Sequence, residues 1–122
     1  MNELDVAEIQ RALREFARAR EWEQFHTPKN LAMAMTGEVG ELVEIFQWMT
    51  AEESWQVMDE PAKAQAVRDE LADVLVYVLR IADLLSVDVA EAVRAKMQQN
   101  EAKYPADKVR GIAVKYSEID RE

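Results

Sequence analysis

The sequence predicts an all-α protein, a four-helix bundle followed by an extended C-terminal arm. Two observations carry that prediction. The 122 residues include only three glycines and three prolines, while 49% are hydrophobic, a composition suited to helical globular proteins. Apolar residues also recur at three- and four-residue intervals over four long stretches, the period of an amphipathic helix. The length suits a single domain, 1–122, and is too short for two ordinary ones.

The first helix is expected from about Leu4 to Glu21, with Val6, Ile9, Leu13 and Phe16 at helical spacing. The stretch "WEQFHTPKN" breaks the pattern, and Thr27 with Pro28 reads as the N-cap and first residue of a second helix reaching about Met49. "TAEESWQVMDE" reads as a loop containing a short helix, after which Pro61 opens a third helix to about Leu85. Asp88 caps a fourth that ends near Tyr104, since Pro105 cannot continue it. The remainder, about 105–122, lacks sustained periodicity and is expected as the extended arm. On the third helix Val67, Leu71, Val74, Leu75, Val78, Ile81 and Leu85 form a continuous apolar arc about 120° wide at 100° per residue. A lone 122-residue bundle can hardly cover the apolar arcs of both the second and third helices completely, so an oligomer is expected.

Fifteen basic against twenty-four acidic residues give a formal net charge of -9, making nucleic acid and anionic membrane poor partners. The absence of cysteine removes disulfides, thiol nucleophiles and thiolate zinc sites. One histidine removes most imidazole-based metal sites. The longest stretch without a charged residue is eight long, 30–37, so neither a membrane span nor a signal peptide is expected, and the expected compartment is the cytoplasm.

Chemistry enters at "GEVGELVEIFQW", residues 37–48. Glu38 and Glu41 lie about 60° apart on the helix, on an arc shared with Leu31, Ala34, Ile45 and Trp48. The third helix repeats the arrangement: Glu70 and Asp73 share an edge with Ala66, Tyr77 and Leu84. If the two helices pack antiparallel, four carboxylates converge. Mutual repulsion and lost hydration should then raise their pKa values, and a divalent cation would relieve both. Oxygen ligands favour Mg²⁺ or Mn²⁺ over zinc. The competing reading is two solvated edges paired with lysine or arginine. A di-iron bundle is a poor fit, because it needs Glu-x-x-His on two helices and only Glu23 and His26 have that spacing, in a break. Gly37 and Gly40 each cost about 1 kcal/mol relative to alanine inside a helix and are expected to permit close helix packing.

Trp48 and Tyr77 lie on the acid edges of their helices, while Trp22, Phe25 and His26 fall in the break before the second helix. Such aromatics can stack on a planar base or simply fill a core. His26 alone reads as a structural or surface histidine. Residues 96–116 carry five bases (Lys96, Lys103, Lys108, Arg110 and Lys115) against two acids. That tract suits a phosphate-bearing, metal-carrying ligand, and equally a solvated tail.

Together these stretches identify a resemblance. "EWEQFHTPKNLAMAMTGEVGELVEIFQW", "DELADVLVYVLRIADL" and "KMQQNEAKYP" followed by "RG" and "KY" closely resemble the MazG-like all-α nucleoside triphosphate pyrophosphohydrolases, nearest to the dCTP pyrophosphatase group. The likeness runs from about residue 16 to 116. ExxE and ExxD are loose motifs singly; their combination with WEQFH and KxxxNxxxY is specific.

The resemblance implies a tetrameric, Mg²⁺-dependent enzyme (Mn²⁺ being the other candidate) that splits a (deoxy)nucleoside triphosphate into monophosphate and pyrophosphate. Its implied metal ligands are Glu38, Glu41, Glu70 and Asp73, with Glu38 or Glu41 activating water. The implied base and sugar pocket draws on Trp22, Glu23, Gln24, Phe25 and His26, with Asn30, Trp48 and Tyr77. Lys96, Asn100 and Tyr104 match a substrate-contacting motif, and Arg110 and Lys115 are implied phosphate contacts. The expected substrate is dCTP-like. Animal dCTP pyrophosphatases have a pocket histidine where this chain has Leu13, which touches base preference more than chemistry. Two rivals are the same reaction on dUTP, a purine nucleotide or a modified base, and a non-enzymatic acidic helical scaffold. The scaffold explains the wide apolar arcs but not four acids at their edges.

Overall fold

The four expected helices begin at or within about two residues of their predicted starts. A computed structural model describes residues 3–113 and 115–119. The helix α1 spans Val6–Ala19, its N-cap Asp5 accepting from the backbone N–H of Glu8 at 3.0 Å. It stops at Arg20 because Glu21 turns left-handed (φ 56°), and the Trp22 N–H returns to the carbonyl of Ala17 at 2.9 Å. A 3-10 turn, Glu23–Phe25, follows. The next helix, α2 (Pro28–Phe46), starts where Thr27 Oγ1 accepts from the Asn30 N–H, and the Asn30 amide donates back to the Phe25 carbonyl. Asn30 thus ties the turn to the helix.

A reciprocal cap follows. Thr50 and Glu53 exchange side chain-to-backbone hydrogen bonds around α3 (Ala51–Ser54), and a 3-10 turn, Val57–Asp59, leads into α4 (Pro61–Leu84). This 24-residue helix is the third expected from the sequence. It ends in Ser86 at φ 55°. Asp88 then caps α5, Val89–Lys103, by accepting from the Glu91 N–H.

Beyond Pro105 the chain differs from expectation. It forms a helical turn, α6 (Ala106–Val109), and a 3-10 turn, Tyr116–Glu118, so the arm is not extended throughout. Short turns of this kind carry too few apolar positions to register as a periodic pattern. Part of the arm, 114 and 120–122, lies outside the described residues. No strand occurs among the described residues, and no helix among them is long and apolar enough to cross a membrane.

The chain forms two compact units, Met1–Ser86 and Val87–Glu122. Within the first, α4 is the central element, with α1, α2 and the turn at Val57–Asp59 all packed against it. Ala17, Leu31, Val57, Ala64, Val67, Leu79 and Ala82 form its buried core. Gln10 of α1 donates to the Leu79 carbonyl at 3.0 Å, and Arg14 pairs with Asp83 at 2.7 Å. These contacts fix α1 along the C-terminal half of α4. The core is small, and Val39, Val43, Leu71, Leu75 and Val78 stay exposed on α2 and α4. In the second unit Ile119 is the buried hydrophobic among the described residues.

Candidate active site

Antiparallel packing of α2 on α4 brings the two acid-bearing stretches together. Carboxylate oxygens of Glu38, Glu41 and Glu70 lie within 4.8 Å of one another. Glu41 is exposed, whereas Glu38 and Glu70 are half-buried. One oxygen of each half-buried acid, Oε2 of Glu38 and Oε2 of Glu70, is shielded from solvent and has no hydrogen-bond partner. Buried polar atoms are ordinarily paired, and two carboxylates cannot satisfy one another unless one takes up a proton.

The titration of Glu70 reflects that conflict. Its pKa is pushed up from 4.5 to about 7, first by burial, then by hydrogen bonds its protonated form shares with Glu38 and Glu41, and by their negative charge. A cavity of about 390 Å³ opens beside the cluster, lined by Glu41, Glu44, Ile45, Ala66 and Glu70. Three hard oxygen donors, two with unsatisfied atoms, fit a divalent cation. Asp73 is exposed and stands outside this three-residue group. A Cβ added at Gly37 or Gly40 would meet nothing within 4 Å. The close packing expected of these glycines is therefore not found within the chain.

A second cluster forms where α1, the Glu23–Phe25 turn and α4 meet. Trp22 meets Phe16 edge-on at 5.7 Å between ring centroids and lies 6.4 Å from the tilted ring of His26. With Leu13, Leu31, Val76, Tyr77 and Arg80 they line a cavity of about 160 Å³. Tyr77 thus lines the same cavity as Trp22 and His26. Arg80, only 5% exposed, donates from Nε to His26 Nδ1 at 3.4 Å. Its Nη1 lies 3.5 Å from Asp83 Oδ2, while Asp83 Oδ1 accepts from Arg14 at 2.7 Å. The His26 pKa is lowered, mainly by burial and secondarily by the Arg80 charge.

The other expected residues are placed more loosely. Glu23 pairs with Arg18 at 3.5 Å, and the Gln24 amide donates to the Glu21 carbonyl. Phe25 is exposed, and Trp48 is 90% exposed and lines neither cavity. Lys96, Asn100, Tyr104, Arg110 and Lys115 all belong to the second unit. Sequence reasoning overlooked Arg80 and Asp83. Their signal was an arginine flanked at helical spacing by Val76, Tyr77 and Leu84, with an aspartate three residues on that shares its helix face.

Known proteins share this arrangement of helices. The MazG-like family model matches residues 34–119. A protein from Bos taurus named dCTP pyrophosphatase 1 is 42% identical over 118 residues, 97% of this chain and 70% of that protein. The Homo sapiens protein of the same name is 44% identical over 93% of this chain and 67% of its own. Among solved structures, a pyrophosphatase from Archaeoglobus fulgidus superposes with a TM-score of 0.77 at 42% identity, covering 86% of this chain and 96% of that one.

Proposed function

Since the chain belongs to the MazG-like family, we propose that it hydrolyses a (deoxy)nucleoside triphosphate, dCTP first, to the monophosphate and pyrophosphate in the presence of Mg²⁺. That it is a nucleoside triphosphate pyrophosphohydrolase rests on its identity with the dCTP pyrophosphatases over nearly the whole chain and on its structural likeness to a pyrophosphatase. The observation that carries the metal requirement is the Glu38–Glu41–Glu70 cluster with its two orphaned buried oxygens.

Glu38, Glu41 and Glu70 hold the cation in this reading, and Asp73 is the fourth ligand. When bound, the cation neutralises phosphate charge and polarises the phosphoryl group under attack. The remaining chemistry belongs to the side chains. Glu38 or Glu41 accepts a hydrogen bond from the attacking water and orients it or takes its proton. Lys96, Arg110 and Lys115 supply donors to the phosphates and the departing pyrophosphate, and Asn100 and Tyr104 contact the nucleotide beside them. Trp22 through His26, with Asn30, Trp48 and Tyr77, form the surroundings of base and sugar. Both compact units serve this single domain, and the compartment is the cytoplasm.

The exposed Val39, Val43, Leu71, Leu75 and Val78 are covered by further copies of the chain in a homotetramer. Burial of these side chains against a neighbouring copy would remove apolar surface from water, and the open space beside Gly37 and Gly40 leaves room for a neighbouring helix. The decisive experiment is a panel of canonical and modified nucleoside triphosphates with Mg²⁺, scoring monophosphate and pyrophosphate separately. Turnover of dCTP to dCMP and pyrophosphate, abolished by chelation, is the expected result. Release of orthophosphate, or no turnover of any nucleotide, would overturn the reading. Sedimentation of the same preparation tests the tetramer.

A further inference from the structure

We propose that Arg80 is a positioning and specificity-determining residue: anchored by Asp83, it holds His26 as the neutral Nε2–H tautomer, so that the aromatic cavity presents hydrogen-bond donors to the nucleotide base. The inference rests on the pyrophosphohydrolase reading for the identity of the ligand, and on the following geometry for the rest.

Arginine donates only and stays charged in proteins. The bond from Arg80 Nε to His26 Nδ1 therefore requires a lone pair on Nδ1. A neutral imidazole with Nδ1 accepting carries its proton on Nε2. Protonating Nδ1 would break that bond and set two cations side by side in a partly buried place, which accords with the lowered His26 pKa. Arg80 is itself fixed, because it is buried and its Nη1 meets Asp83, whose other oxygen is held by Arg14. The titratable and charged groups facing the ring are Arg80 and Tyr77 from α4, with Asp83 behind Arg80 and Arg14 from α1. In the ring's own segment, Glu23 is paired with Arg18.

A purely structural arginine would complete its bonds away from open space. Arg80 instead lines the cavity together with His26, against the aromatic wall of Phe16 and Trp22. At about 160 Å³ the cavity is below the ~300–1,000 Å³ of whole-ligand pockets, a size for the base alone. Arginine N–H and His26 Nε2–H are both donors. The complementary edge has acceptors, such as a ring carbonyl beside an unprotonated ring nitrogen, the pattern cytosine offers. A site built on donors penalises an edge that cannot accept, because its own buried groups are then left unpaired.

The chain has one histidine, so nitrogen-15 NMR of the imidazole reports on His26 without assignment. In the wild type the ring should show the Nε2–H tautomer and titrate below the usual 6.5. In Arg80→Met the Nδ1–H form should appear and the titration midpoint should rise. With Mg²⁺, the KM for the preferred nucleotide should increase roughly tenfold or more, kcat should change far less, and the preference among the four canonical deoxynucleotides should narrow. Arg80→Lys keeps the charge without the guanidinium fork and should show the same tautomer change with a smaller rise in KM. Should Arg80→Met not fold, Arg80→Lys and Asp83→Asn carry the same measurements. An unchanged tautomer, or unchanged discrimination, in a folded Arg80 variant overturns the proposal. Failure of the functional reading looks different. A wild type that turns over no nucleoside triphosphate removes the base from the cavity and overturns the specificity claim, while the NMR signature separately decides whether Arg80 holds the ring.

Discussion

The two polar clusters on α4 are built on opposite terms. Around Glu70, three acids face one another with two buried oxygens unpaired. Ten residues along the same helix, about 15 Å of rise, Arg80 is almost completely buried and has partners at both ends, His26 and Asp83. The first cluster costs stability unless something cationic joins it. The second is already compensated within the fold. An unsatisfied charged cluster beside an open cavity marks a place for a ligand, whereas a satisfied one sets the orientation of its neighbours. In the proposed function, that contrast separates the proposed metal end of α4 from the proposed base end.

The largest effect should come from depriving the unsatisfied cluster of a ligand. Glu41→Gln or Glu70→Gln keeps the shape and removes the anion, and pyrophosphate release with Mg²⁺ should fall at least about a hundredfold. Asp73→Asn sharpens the assignment, since Asp73 stands outside the three-acid group. A comparable loss there makes it the fourth ligand, and near-wild-type turnover by the folded variant removes it from the set. Wild-type rates in a folded Glu41→Gln enzyme would end the metal-site assignment.

Disturbing the satisfied cluster should register in stability. Asp83→Ala leaves Arg80 with His26 alone and Arg14 without its 2.7 Å partner. Breaking a buried pair from one side is costly, and about 2–4 kcal/mol of unfolding free energy should be lost in urea titrations. Metal-free Glu70→Gln should show the opposite sign, becoming more stable than the wild type at neutral pH. If both substitutions destabilised equally, the contrast between the clusters would be gone.

Trp48 offers a smaller test. It is 90% exposed in the chain, so core packing predicts little change in melting temperature when it is truncated. Base stacking predicts a loss of about 1–3 kcal/mol, or roughly ten- to a hundredfold in kcat/KM for Trp48→Ala, mainly in KM. A stable variant with unchanged KM would take Trp48 out of the site.

These residues also show where sequence was legible. Helix starts were, because Thr27–Pro28, Pro61 and Asp88 act locally through their own side chains. The meeting of Glu38, Glu41 and Glu70 was also legible, since i,i+3 spacing on two facing helices fixes it. Arg80 was not, because its partner His26 lies 54 positions away and Arg14, which holds its other partner Asp83, lies 69 positions from that aspartate, so only packing brings them near. The exposure of Asp73 depends on the rotation of α4 against α2, which a count of 100° per residue sets only approximately.

The last comparison uses pH to read the unsatisfied cluster directly. In the unfolded chain Glu70 releases its proton near the ordinary 4.5, but in the metal-free fold it keeps it to about 7. Between those values the folded state binds more protons than the unfolded one, so this group makes stability fall as pH rises from about 4.5 to 7 and leaves it at the lower level beyond. His26 acts in the opposite direction. Its lowered pKa means that the unfolded chain takes up a proton first, so its contribution is intact above 6.5 and declines as pH falls below it. Glu70→Gln separates the two, because it abolishes the first trend and leaves the second. A cation must displace the Glu70 proton at pH 5 but not at pH 8. Added Mg²⁺ should therefore raise the melting temperature of the wild type more at pH 8 than at pH 5, with little shift at either pH in Glu70→Gln. Equal shifts at both pH values in the wild type would mean that the three acids do not share one proton-sensitive site.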